Sequence, residues 1–282
     1  MFFRGILRQF YESKITKNRQ NGEFMPRFFV QLDKIDSEHK TVLIEGEDAH
    51  HISRSLRMAK GERITVCDMQ GSEYDCVIRD FCDDSSVTAE IISRSDCSSE
   101  PPYKVTLYQG LPKGDKLDSV IQKSVECGVF ALQTFESSRC IAKEKAESGD
   151  KKLIRRNKIA LEAAKQSGRG RVPQILPTVS FKEAVAEAAK ADVPLFCYED
   201  EHTVSLKSIL CGRRDLLLRD HRPTISVVIG SEGGFSPQEA EYAREQGMLS
   251  VGLGPRILRT ETAPAFVLGC LAYELEMDEQ EN

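Results

Sequence analysis

The sequence has no uninterrupted apolar run approaching the ~18–20 residues that span a bilayer, so nothing in it reads as a membrane helix. It has no Cys-x-x-Cys pair. Its nine cysteines are scattered and odd in number, which argues for reduced thiols in a cytoplasmic compartment and against a disulfide framework. Five histidines include the neighbours His50 and His51, yet none stands at zinc-ligand spacing, and no metal is expected. That pair reads as packing or hydrogen-bonding residues rather than as chemistry. A positive net charge is also missing: 39 Lys/Arg against 44 Asp/Glu give −5, which by itself argues against nucleic acid. The charge is unevenly placed, however. Between Lys104 and Arg171, fifteen basic residues stand against eight acidic ones, which suits either a phosphate-binding patch or a solvated helix surface.

One further absence concerns the stretch VVIGSEGGFSPQE, Val227 to Glu239. No lysine follows its glycines, so it is not a P-loop that grips a triphosphate. Ser236-Pro-Gln-Glu239 is a capping box with Pro at the first helical position, which predicts a strand ending at Ile229, a turn over Gly230–Phe235 and a helix from Pro237. Gly233 and Gly234 are free to take positive φ and to let a ligand approach the backbone. A second turn, Gly252-Leu-Gly-Pro255, follows another short strand and leads into RILRTETAPAF and the last helix. Two such turns can hold a flat ligand between main-chain groups, with Leu253, Ile257 and Leu258 as apolar walls. An adenosyl group fits that description better than a polyphosphate; two ordinary strand-to-helix turns are the plainer alternative.

At 282 residues the chain suits one large or two modest domains. Residues 1–24 are basic and poor in acids and read as a poorly ordered extension, with MPRFFV from Met25 as a second beginning. From Phe28 to about Ile92 short strands (TVLIEG, RITVCD, YDCVIRDF, VTAEIIS) surround one helix near Asp48–Met58, a pattern that predicts a small β-barrel module over 25–97. Ser95–Tyr103, SDCSSEPPY, is the linker. Beyond it, over 103–282, strands (KVTLYQG, FALQTFES, VPLFCYE, TISVVIG) alternate with helices near Leu117–Val125, Lys151–Gln166 and Phe181–Ala191, which predicts an α/β domain with a parallel sheet. Ligands of such sheets sit beyond the carboxyl ends of the strands, where Gly230–Gly234 falls. The last helix, about Thr262–Met277, is apolar nearly all round (Ala263, Ala265, Phe266, Val267, Leu268, Cys270, Leu271, Leu275), so a homodimer partner or its own domain must cover it.

The stretch VVIGSEGGFSPQEAEYA with LGPRILRTETAPAF resembles the paired signature of the RsmE family, the 16S rRNA uracil-N3 methyltransferases of the SPOUT superfamily. MPRFFV and HHISRSLRMAKGE are similar to that family's PUA-like N-terminal domain, and GLPKGDKLDSVIQKSVECGV, SSRC and EAAKQSGRGRVPQI to its other blocks. The resemblance covers nearly the whole chain. It implies a SPOUT-type α/β domain with a C-terminal trefoil knot, a PUA-like RNA-binding β-barrel before it, a cytoplasmic homodimer, and small-subunit rRNA as substrate. It also implies S-adenosylmethionine as cofactor, held by Ile229, Gly230, Ser231, Glu232, Gly233, Gly234, Leu253, Gly254, Ile257, Leu258 and Thr260. Where the family loop usually reads Gly-Pro-Glu-Gly-Gly, this chain has Ser231, which is closer to the ribose 2′-O methyltransferases of the same superfamily. Those enzymes carry Ser-Leu-Asn at the start of the last helix, where this chain has Arg259-Thr-Glu-Thr262, so base methylation is the expected reaction.

Arg259 is the catalytic candidate, as a planar donor for charge that develops on a uracil carbonyl; a salt bridge to Glu261 or Glu232 is its structural alternative. The base is open between Glu232, Glu261 and water. RNA contacts are expected from Arg27, Arg54 and Arg57 in the small domain. In the large one they are expected from Lys113, Lys116 and Lys123, with the last two on one helix flank, and from Arg139, Gln166, Arg169 and Arg171. A ribose 2′-O methyltransferase and a non-catalytic ribosome-assembly protein are the competing functions.

Overall fold

The computed structural model describes residues 25–83, 85–144, 146–198, 203–218 and 222–277; the expected extension over 1–24 lies outside them. The chain divides into two compact units, Met1–Ser98 and Ser99–Asn282.

In the first unit, strands β1 (Arg27–Phe29), β2 (Ile35–Asp36), β3 (Thr41–Glu45), β4 (Arg63–Cys67), β5 (Ser72–Asp83) and β6 (Ser86–Asp96) form one sheet in the order β1-β4-β5-β6-β3-β2. All neighbours are antiparallel except the parallel pair β1 and β4. Alternation places Val42, Ile44, Ile64, Val66, Cys76, Ile78, Val87 and Ala89 on one core, and register shifts in the β5–β6 pair bend the sheet around it. The expected helix is shorter than its periodicity suggests. Helix α1 (Glu47–His50) widens into a π-helical turn over His51–Ser55, and Ala49 and Ile52 enter the core. His51 packs edge-on against Phe28, with ring centroids 6.4 Å apart.

The second unit is built on seven parallel strands in the order β11-β13-β10-β12-β7-β8-β9: β7 (Lys104–Gly110), β8 (Ala131–Glu136), β9 (Gln174–Ser180), β10 (Val193–Cys197), β11 (Val204–Ser205), β12 (Thr224–Ile229) and β13 (Leu249–Gly252). Five successive residues of β12, Ile225–Ile229, are buried, so both faces of that strand are covered. The intervening helices are α2 (Lys116–Glu126), α3 (Ala146–Ser167), α4 (Phe181–Ala188), α5 (Leu206–Gly212), α6 (Arg214–Leu217), α7 (Pro237–Glu245) and α8 (Ala263–Leu275). Leu117, Val120, Ile121 and Val125 form the buried face of α2. Helix α3 begins five residues earlier than expected and stops before Gly168, whose φ of 72° ends the helix. Strand order turns back between β7 and β12, the position where open α/β sheets place their ligands.

Helix α8 settles most of its apolar surface within its own chain. Ala263, Val267, Leu268, Leu271 and Leu275 are buried, whereas Phe266, Gly269, Cys270 and Tyr273, one stripe at helical spacing, stay partly or largely exposed. Leu271 is fully buried and therefore belongs to the monomer core, not to an interface.

Candidate active site

The carboxyl ends of β10, β12 and β13 meet at one cavity of about 560 Å³. Strand β12 ends at Ile229 and α7 begins at Pro237, with the capping box complete: Glu239 N–H donates to Ser236 Oγ at 3.2 Å and Ser236 N–H to Glu239 Oε2 at 2.9 Å. The turn between them closes through Gly234 N–H to Ser231 O at 2.9 Å. Phe235 then anchors it in an aromatic core, its ring centroid 4.4 Å from that of Phe196.

Only Gly234 of the two candidate glycines takes positive φ, at 63°. Gly233 is needed for another reason: a Cβ there would stand 2.9 Å from both Cβ and O of Arg139. The Arg139 guanidinium in turn donates to Gly233 O at 3.2 Å, and Ser138 N–H donates to Glu239 Oε1 at 2.7 Å. The capping-box glutamate thus holds the segment carrying Arg139 against the glycine turn. Gly110, at the end of β7, is under the same constraint, since a Cβ would lie 2.6 Å from Ser231 N.

The second turn contributes Leu253 and Gly254, whose φ of 100° disfavours any side chain, and then Arg256 to Thr260. Thr260 is buried and its hydroxyl is already engaged, donating to Gly230 O at 2.7 Å and accepting from Gln109 Nε2 at 2.9 Å. Its side chain therefore ties the two turns to β7 and is not a free cofactor contact. Ile257, expected as a wall, lines the mouth of the cavity but is 99% exposed, so the apolar walls are Ile229, Val251, Leu253 and Leu258.

The lysine missing from the glycine turn is supplied by α2. Lys116 Nζ binds Glu232 Oε1 at 2.7 Å and lies 3.9 Å from Glu261 Oε2; the Lys113 backbone N–H reaches the two Glu232 oxygens at 3.2 and 3.4 Å. Partial burial works to raise the pKa of Glu232, but the hydrogen bonds from Lys116 and from backbone amides outweigh it and hold the carboxyl below its ordinary value. Lys116 is thereby moved from the expected RNA surface to the cavity, leaving Lys123 alone on the exposed flank of α2. Arg259 lines the cavity, is exposed, and has no side-chain partner among the described residues, so neither expected salt bridge forms. Arg256, which sequence reading passed over, stands in the same condition at the same cavity.

Two other expected RNA contacts are structural. Arg169 is 2% exposed, forms a two-pronged pair with Glu100 at 3.0 and 2.8 Å, and donates to Val125 O and Val129 O. Losing one partner of such a buried pair costs about 3–5 kcal/mol, which assigns Arg169 to stability. Arg27 is held by Glu73 at 2.9 Å and by the thiols of Cys67 and Cys97 within the small unit. Arg171 lies over the Phe130 ring, 5.0 Å from its centroid. Arg54, Arg57, Lys113, Lys123, Arg139 and Gln166 are exposed.

Residues 99–272 match the RNA methyltransferase domain family, and residues 44–92 match the RNA methyltransferase PUA domain family. A Bacillus subtilis protein named ribosomal RNA small subunit methyltransferase E is 36% identical over 90% of this chain and 98% of its own length. Its Aquifex aeolicus counterpart is 32% identical over 82% of this chain and 93% of its own. A crystal structure of the same-named enzyme from Neisseria gonorrhoeae, bound to S-adenosyl methionine, superposes with a TM-score of 0.74 at 32% identity, covering 89% of this chain and 98% of that one. The glycine turns and the cavity between them lie within the matched segment, and this chain belongs to the ribosomal RNA small subunit methyltransferase E (RsmE) family.

Proposed function

We infer that the protein is an S-adenosylmethionine-dependent rRNA methyltransferase, and we propose that it methylates N3 of a uracil in the small-subunit rRNA. The observation that carries this reading is the cavity between the two glycine turns, with two guanidiniums, Arg256 and Arg259, that no side chain among the described residues engages. The cavity fits the cofactor. Its volume falls within the ~300–1,000 Å³ of small-molecule sites, and Ile229, Val251, Leu253 and Leu258 can hold the adenine face. Gly230, Gly234 and Gly254 bring main chain to the cavity wall without side chains, and Ser231 lines the same wall. Lys116 adds no net charge against a sulfonium because Glu232 neutralises it. When bound, S-adenosylmethionine supplies an electrophilic methyl group.

The chain's own residues then have to prepare the nucleophile. Uracil N3 becomes reactive only as its proton leaves, and negative charge then builds on O2 and O4. Donors placed where that charge develops are worth ~3–4 kcal/mol each, and Arg259 is free to provide one. The trefoil knot expected of the family would be formed by the same C-terminal turns.

RNA would be held by Arg54, Arg57, Lys113, Lys123, Arg139, Gln166 and Arg171, joined by Arg256. Binding is expected to weaken log-linearly with salt, with Lys123→Glu lowering the slope by about one and sparing cofactor affinity. Affinity that stays flat from low to high salt would mean that these side chains are a solvated surface. A cytoplasmic homodimer belongs to the same proposal, supported by the exposed stripe Phe266, Gly269, Cys270 and Tyr273 on α8. Phe266→Asp should convert a dimer to a monomer in light scattering; a wild-type protein that is monomeric at micromolar concentration contradicts it. The decisive test of the reaction is the methylated nucleoside itself, by mass spectrometry of rRNA from cells lacking the protein, in which N3-methyluridine should be absent.

A further inference from the structure

The two carboxylates at the cavity are held very differently. Both oxygens of Glu232 face donors, the Lys116 ammonium and the Lys113 backbone N–H, all of which favour the ionised form. A carboxylate engaged in this way is a poor proton acceptor. Glu261 lines the same cavity two residues beyond Arg259. Its Oε2 is buried and accepts no hydrogen bond from the described residues, and the nearest cation, Lys116 Nζ, stands at 3.9 Å, outside hydrogen-bond reach. The turn that carries it is fixed, because Arg259 O accepts from the N–H groups of Thr262 and Ala263 at 2.8 and 3.0 Å. A buried carboxylate oxygen without a donor is costly unless it has a use.

We propose that Glu261 is the catalytic base that takes the uracil N3 proton, with Lys116 as a positioning residue that occupies Glu232 and so leaves Glu261 available. The inference rests on the uracil-N3 reading above. The N3–H bond breaks with its proton passing to the Glu261 carboxylate, the N3 electron pair forms the bond to the methyl carbon, and the S–CH3 bond breaks with its electron pair left on sulfur. Glu261 afterwards releases the proton to solvent. The other charged groups facing it across the cavity are Lys116, Arg139, Glu232, Arg256 and Arg259. With arginine donors beside O2 or O4, the N3 proton becomes acidic enough for a carboxylate to accept it in the transition state.

The test is Glu261→Gln, which keeps shape and loses the ability to accept a proton, assayed for N3-methyluridine formation across pH. Cofactor affinity is measured by calorimetry and RNA affinity by fluorescence anisotropy. The expected result is a rate lowered by about 10²–10⁴-fold near neutral pH with both affinities nearly unchanged. The residual rate should rise about tenfold per pH unit, because hydroxide replaces the missing base. Glu261→Asp retains a carboxylate and should keep the wild-type shape of the pH profile at a reduced rate; it also serves should the Gln variant fail to fold. A folded Glu261→Gln enzyme with the wild-type pH profile, or one whose loss lies in cofactor or RNA affinity, overturns the proposal. A wild-type enzyme that makes a product other than N3-methyluridine overturns the underlying reading instead, and this proposal with it.

Discussion

Arg259→Lys is expected to lower turnover by about 10²–10³-fold while leaving cofactor affinity nearly unchanged, the size of losing one well-placed oxyanion donor. Lysine keeps the charge but not the planar fork, so the substitution is far from conservative at a site that must address a flat carbonyl. The structure sharpens this expectation. Glu232 is held by Lys116, Glu261 forms no pair with Arg259, and the guanidinium has no side-chain partner among the described residues. On the proposed mechanism its role belongs to the transition state and not to holding the turn. Higher pH should restore part of the rate, because bulk solvent then helps remove the N3 proton. A folded Arg259→Lys protein with weak cofactor binding and normal turnover at saturation would make this residue architectural.

Gly233→Val should abolish detectable cofactor binding, a loss of at least about 100-fold, in a protein that still folds. Backbone conformation is not the cause, since positive φ belongs to Gly234. The new side chain would enter the space of the Arg139 main chain and Cβ, contacts of 2.9 Å that no flexible group can relieve. The segment Ser137–Cys140 must then move away from the turn. The contacts of Arg139 with Gly233 O and of Ser138 with Glu239 are lost with it. Strand β12 and the helix α7 cap lie on either side of the disturbance, which is why the fold survives. Calorimetry with a Gly233→Val protein of native circular dichroism decides the matter; unchanged affinity would remove this turn from the cofactor wall.

What the sequence reveals of this site, and what it does not, follows from how local each signal is. The strand end at Ile229 and the helix start at Pro237 were legible because a capping box is written in four consecutive residues. Alternation of apolar strands and amphipathic helices announced the parallel sheet. Strand β9 escaped notice because Pro177 interrupts it; the proline is tolerated there because β9 is the edge strand. The partners of Lys116, Arg169 and Gln109 were not legible. Helical spacing set Lys116 beside Lys123 on one flank, but its partner Glu232 lies more than a hundred residues away in sequence. Arg169, in the basic run SGRGR, looks like a phosphate contact until Glu100 is found beside it in the core. Gly110 and Gln109 look like the end of an ordinary strand, and only the approach of Gly230 and Ser231 shows why a residue without Cβ and a buried amide stand there.

The account turns on where the methyl group goes, and one measurement addresses it directly. Purified protein is incubated with S-adenosylmethionine carrying an isotopically labelled methyl group and with small ribosomal subunits from cells lacking the protein, and the rRNA is digested and analysed by nucleoside mass spectrometry. The account predicts that the label appears in N3-methyluridine and that Arg259→Lys sharply lowers its yield. Label in a ribose 2′-O-methyl nucleoside, or no label in rRNA from a protein that binds the cofactor, would contradict it.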